Sequence, residues 1–123
     1  PHTVAAASLT GCKNISRAEK RGEHQLYAVD WGVTLTAAAQ LHDGLCAVGV
    51  RAHDILEEER HNRYAIVCGK PIEDPFELTQ PFTFACQGDK KMLLWVKLQR
   101  REPYSAPKEV GIAPDKVLPL YEK

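Results

Sequence analysis

Residues 27–41 read YAVDWGVTLTAAAQL, and this stretch constrains the fold more than any other. Tyr27, Val29, Trp31, Val33, Leu35, Ala37, Ala39 and Leu41 are all apolar. Between them lie Ala28, Asp30, Gly32, Thr34, Thr36, Ala38 and Gln40, of which only the alanines are apolar. A period of two is the pattern of a strand with one buried face. The three alanines favour a helix over residues 34–42 as the competing assignment. Because the alternation begins upstream of them, a strand is preferred.

Asp43-Gly44 follows, the favoured pair for a two-residue hairpin turn. A turn there places Leu41 opposite Cys46, Ala39 opposite Val48, Ala37 opposite Val50 and Leu35 opposite Ala52, all on one face. A slip of one residue would mix the two faces. Further strands are expected at RYAIVC, with Tyr64, Ile66 and Cys68 on one side, and at PFTFAC, with Phe82, Phe84 and Cys86. MLLWVKLQ places Met92, Leu94, Val96 and Leu98 on a common face. With no βαβ unit evident, the expected fold is mainly β: a small antiparallel β-sandwich or partly open barrel of about five to six strands.

A chain of 123 residues fits a single domain with a real core. Residues 1–23 read as an N-terminal segment, 24–101 as the β body and 102–123 as an extended tail. The tail holds Pro103, Pro107, Pro114 and Pro119, which prevent a regular helix or a central strand. Formal net charge is zero, which disfavours nucleic acid and anionic membrane as partners. No apolar run is long enough for a transmembrane helix.

Four cysteines, Cys12, Cys46, Cys68 and Cys86, lack the short spacing of zinc or redox motifs. An even count without such spacing suggests two structural disulfides and a secreted protein. Three pairings exist, and Cys12–Cys68 with Cys46–Cys86 is preferred. Asn14-Ile15-Ser16 is a formal glycosylation sequon.

Candidate chemistry is sparse. Residues 53–63 gather His53, Asp54, Glu57, Glu58, Glu59, Arg60, His61 and Arg63. A small ribonuclease-like hydrolase could draw a base, an acid and a phosphate-binding cation from this set, with His53, Glu58 and His61 as the catalytic residues. A solvated loop between two strands is the simpler reading. The spacing matches no metal motif, and no glycine-rich phosphate loop or nucleophile motif occurs, so neither metal nor cofactor is expected. Residues 88–101 carry Lys90, Lys91, Lys97, Arg100 and Arg101 against Asp89 alone. Trp95, with Lys97, Arg100 and Arg101, is the candidate binding surface, since an exposed tryptophan among cations suits protein docking or base stacking. The alternative buries Trp95 with Leu93 in a second core layer.

NRYAIVC and PFTFACQGDKK resemble the paired cysteine strands of small immunoglobulin-like accessory proteins of coronaviruses. Trp31 precedes Cys46 and Trp95 follows Cys86, which departs from the immunoglobulin order of cysteine, tryptophan, cysteine. In overall profile the chain is similar to secreted effector proteins of plant-pathogenic fungi. TAAAQLHDG resembles the helix of small fungal ribonucleases, whose active-site pattern does not follow. The function expected is that of a secreted, disulfide-stabilised, non-catalytic module that binds a protein, a host protein if the chain is an effector.

Overall fold

The computed structural model describes residues 3–85, 91–98 and 104–121. The fold is mainly β, and its strands form two curled antiparallel sheets. In the first, β1 (Asn14–Lys20), β2 (Gln25–Ala28), β3 (Val33–Thr36), β4 (Ala47–Val50) and β11 (Leu118–Leu120) lie in the order β11-β4-β1-β2-β3. The second holds β5 (Ile55–Leu56), β6 (Tyr64–Cys68), β7 (Ile72–Glu73), β8 (Glu77–Phe84), β9 (Leu93–Leu98) and β10 (Glu109–Ile112). Its order is β5-β10-β6-β8-β7, and β9 pairs with β8 as well. The eleven described strands double the number expected, because many are only two to four residues long.

The expected long strand over residues 27–41 is instead a hairpin of β2 and β3, in which Ala28 opposes Val33. Residues 29–32 form its loop. Trp31 and Gly32 donate their N–H groups to the Ala28 carbonyl, and Gly32 takes the left-handed φ of 76° that a glycine tolerates. The Asp30 carboxylate accepts from the Arg17 backbone N–H at 2.9 Å and the Arg17 guanidinium at 2.8 Å, tying the loop to β1. The loop also changes the inward phase. Leu26 and Ala28 point inward before it, and Val33 and Leu35 after it. After Thr36 the chain continues as neither strand nor helix up to Leu41.

Asp43-Gly44 does form a turn, with Gly44 at φ 94°, but it does not join paired strands. β4 pairs with β1 and β11, not with β3. All four residues of β4 are buried because its two faces meet different cores. Val48 and Val50 enter the main core with Trp31, Leu35, Phe82, Phe84, Leu93 and Ile112. Ala47 faces a small second core with Ala7, Cys12 and Leu120.

Residues 3–23, expected as an N-terminal segment ahead of the body, form a helix and a strand of it. The short helix α1 (Val4–Leu9) is capped by Thr3, whose Oγ1 accepts from Ala6 N–H at 3.0 Å. Gly11, at φ 89°, ends it. β1 then runs through the middle of the first sheet. The expectation that the proline-rich tail holds no central strand is corrected: β10, which falls between Pro107 and Pro114 and contains no proline, lies between β5 and β6, and β11 adds an edge beside β4.

The disulfide expectation is corrected. Cys12, Cys46 and Cys68 are free thiols, so the Cys12–Cys68 bond is not made. Cys12 belongs to the small core under α1, whereas Cys68 borders the main core. Each thiol donates to a backbone carbonyl instead: Cys12 to Asn14, Cys46 to Leu120 and Cys68 to Pro107. Cys86 lies outside the described residues, but Cys46 is a free thiol, so the Cys46–Cys86 bond is not made either.

Two asparagines join the sheets. Asn14, at the start of β1, donates Nδ2–H to the Leu94 carbonyl at 2.9 Å, and its Oδ1 accepts from Leu94 N–H at 2.8 Å. One carboxamide thus occupies the edge of β9 as a neighbouring strand would. Asn62 treats β3 in the same way, accepting from Thr36 N–H at 2.7 Å and donating to the Thr36 and Ile112 carbonyls at 2.9 Å. The Tyr64 hydroxyl donates to the Thr34 carbonyl on that edge. Asn14 is therefore 3% exposed and fully engaged, which excludes it as a glycosylation acceptor in the folded chain.

Candidate functional site

The residues suspected of catalysis do not meet. His53 lies in a 3-10 turn (Ala52–Asp54) after β4, and its Nε2 is 3.4 Å from Glu77 Oε1 on β8. His61 is 3.4 Å from Glu59 instead, and Glu58 is exposed. The loop they share has a structural task. Arg63 donates to the carbonyls of Glu57 and Glu59 and to the Glu109 carboxylate at 2.9 Å. Gly111 allows the loop to lie against β10, since a Cβ there would overlap the Glu59 carbonyl. Among the described residues no three His, Cys, Asp or Glu side chains converge as metal ligands.

The suspected binding surface is inverted. Trp95 is 5% exposed and points inward beside Leu93. The face shared by Met92, Leu94 and Val96 is real, but it is the outward one. Arg100 and Arg101 lie outside the described residues, as does the Lys97 side chain.

That inversion creates an apolar outer surface. Across the second sheet Val96 is opposite Thr79, Thr79 opposite Ile72, Leu94 opposite Pro81, and Val67 opposite Thr83. Directly opposed residues share a face. Met92 extends over the same face, its methyl lying 3.2 Å from where a Cβ on Gly69 would stand. Val67, Ile72 and Met92 are half or more exposed.

One end of this surface drops into a cleft of about 300 Å³. Its floor is Leu94, Val96 and Ala52; Lys13, Arg51 and His53 line it with Thr10, Thr79 and Glu77. The floor is rigid because Asn14 clamps Leu94 and Trp95 packs beneath the sheet. Glu77 is positioned by Asp74, whose carboxylate accepts the backbone N–H groups of Glu77 and Phe76. Those bonds hold the Asp74 carboxyl below its usual pKa. Two cationic side chains, Lys13 and Arg51, and the His53 imidazole thus share the cleft with one carboxylate. Neither Lys13 nor Arg51 makes a side-chain hydrogen bond or ion pair with a described residue. The two most exposed large apolar side chains among the described residues, Leu9 and Phe76, immediately precede the lining residues Thr10 and Glu77 in the chain.

The cleft offers charge and apolar contact but no activated nucleophile. Burial raises the pKa of Cys12 on its flank, leaving a thiol and not a thiolate. The sequence signal for this site was present in the outward phase of β9; Lys13, Arg51 and His53 come from separate segments that only the fold brings together. No protein-family model, curated protein or solved structure matches the chain.

Proposed function

We propose that the chain is a non-catalytic protein-interaction module that docks its partner on the outer face of the second sheet. The observation that carries this reading is the outward apolar set of exposed Val67, Ile72 and Met92 with half-buried Leu94 and Val96, lying over the buried inner layer of Leu93, Trp95, Phe82 and Phe84. A contiguous apolar surface of this kind marks an interaction site in a folded protein. Addition of a partner strand to a sheet edge is the less favoured mode of docking. Asn14 and Asn62 occupy the edges of β9 and β3, and Pro119 removes a donor from β11. An extracellular location is part of the proposal only through the even cysteine count, since Cys12, Cys46 and Cys68 stand as thiols.

The test is capture of binding proteins from the chain's own source, identified by cross-linking from single cysteines placed at position 67 or 92. Val67→Asp and Met92→Asp should abolish capture while leaving the circular dichroism spectrum and melting temperature near those of the parent. Capture that survives both substitutions refutes the docking face.

A further inference from the structure

We infer that the cleft lined by Lys13, Arg51 and His53 receives a carboxylate borne by an acidic, apolar peptide segment of the partner. The inference rests on the docking reading above and specifies the partner's chemistry.

Charge is the first argument. Lys13 and Arg51 present donors that no described residue uses, and His53 is only partly engaged, at 3.4 Å from Glu77. Cations held at the rim of a cleft without partners attract an anion. Arg51 is fixed where it is needed because the Ala52–Asp54 turn begins on it, with Asp54 N–H donating to the Arg51 carbonyl at 2.9 Å.

The kind of anion follows from the other lining groups. Glu77 shares the cleft, and the carbonyl end of α1 reaches it at Thr10 and Gly11. Both are electronegative and penalise a dianion more than a monoanion. A carboxylate is therefore favoured over a phosphoryl group. Arg51 suits it because a guanidinium offers a planar pair of donors, and the Thr79 hydroxyl adds a further donor, that of Thr10 being given to the Ala7 carbonyl.

Size and continuity supply the rest. About 300 Å³ stands at the lower end of ligand pockets and fits one or two side chains, not a large cofactor. Leu94 and Val96 belong both to the cleft floor and to the apolar face. A segment lying on that face reaches Lys13 and Arg51 without leaving apolar contact.

Three synthetic hexapeptides, acetylated at the N-terminus, provide the test by amide chemical-shift titration of the full chain. One alternates Leu and Glu and is amidated at its C-terminus. The second replaces Glu by Gln and is also amidated. The third is the Leu/Gln peptide with a free terminal carboxylate. The Leu/Glu peptide should shift the amides of Lys13, Arg51, His53 and Thr79. Its affinity should fall about tenfold in Arg51→Gln or Lys13→Gln, the loss of one charge-assisted hydrogen bond. Binding of the third peptide but not the second would assign the carboxylate to a chain terminus; binding of the first but not the third assigns it to a side chain. Equal binding of all three, or no cleft shifts at millimolar peptide, overturns the inference. Partner capture separates the two readings: if Met92→Asp abolishes it while the Lys13→Gln/Arg51→Gln double variant does not, the docking face stands and the anion site falls.

Discussion

Replacing Asn14 by Ala should cost about 3 kcal/mol, although the change removes only one small polar side chain. The figure follows from two hydrogen bonds, 2.9 and 2.8 Å, that the carboxamide makes with the carbonyl and N–H of Leu94. A buried intramolecular hydrogen bond contributes about 1 kcal/mol net, and a backbone group orphaned by its loss costs about 1–3 kcal/mol. Leu94 is half-buried, so water restores part of the loss and the total falls below the sum of the full penalties. For a domain of this size the shift in Tm is roughly 10–15 °C. Urea denaturation supplies the free energy, and hydrogen exchange supplies the location: the Leu94 amide should lose its protection while the amides of β1 keep theirs.

Asn14→Asp sharpens the test. The carboxylate still accepts from Leu94 N–H but faces the Leu94 carbonyl with no proton to donate. At neutral pH it should be at least as damaging as Ala. Burial and the facing carbonyl raise the carboxyl pKa above its unfolded value of ~3.9, so the deficit should shrink as pH falls through the folded-state pKa. An Asn14→Ala protein within about 0.5 kcal/mol of the parent, with Leu94 still protected, refutes the view that a carboxamide closes this edge.

The other predictions test separate parts of the argument. Trp95→Ala should destabilise by ~3–5 kcal/mol as a core truncation, whereas Met92→Asp on the opposite face should fall within about 0.5 kcal/mol, and the reverse order in urea unfolding would return Trp95 to the surface. Gly111→Ala should cost about 2–3 kcal/mol, because the added methyl meets the Glu59 carbonyl; an unchanged denaturation midpoint would show that the 57–63 loop is not held against β10. Iodoacetamide under denaturing, non-reducing conditions should label Cys12, Cys46 and Cys68, and native labelling should be slowest at Cys12, which is buried and whose pKa is raised by that burial. Tyr104 donates its hydroxyl to the buried Gln80, and burial pushes its pKa up to about 12. Ultraviolet titration should find one late-ionising tyrosine, absent in Tyr104→Phe. The stability it contributes is present below pH ~10 and is lost as pH rises towards 12.

The sequence by itself determined that the chain is mainly β and which side chains share a face. Ile66 with Tyr64 and Cys68, Phe82 with Phe84, and Met92 with Leu94 and Val96 fall together as their spacing requires, because strand pleating is a local property. Periodicity does not say which face is covered. Both faces of residues 92–98 are apolar, and only the second layer of the fold decided that Leu93 and Trp95 go inside. The turn chemistry of Asp43-Gly44 was legible too, since Gly44 adopts φ 94°, yet the strands it separates pair with other partners. Turn residues fix a local bend; pairing also depends on the Asp30–Gly32 loop, which ends β2 early and reverses the chain first. The joining of the sheets by Asn14 and Asn62, and the convergence of Lys13, Arg51 and His53, left no mark in any short window. These contacts link residues distant in the chain, so their energies exist only once both sheets are in place.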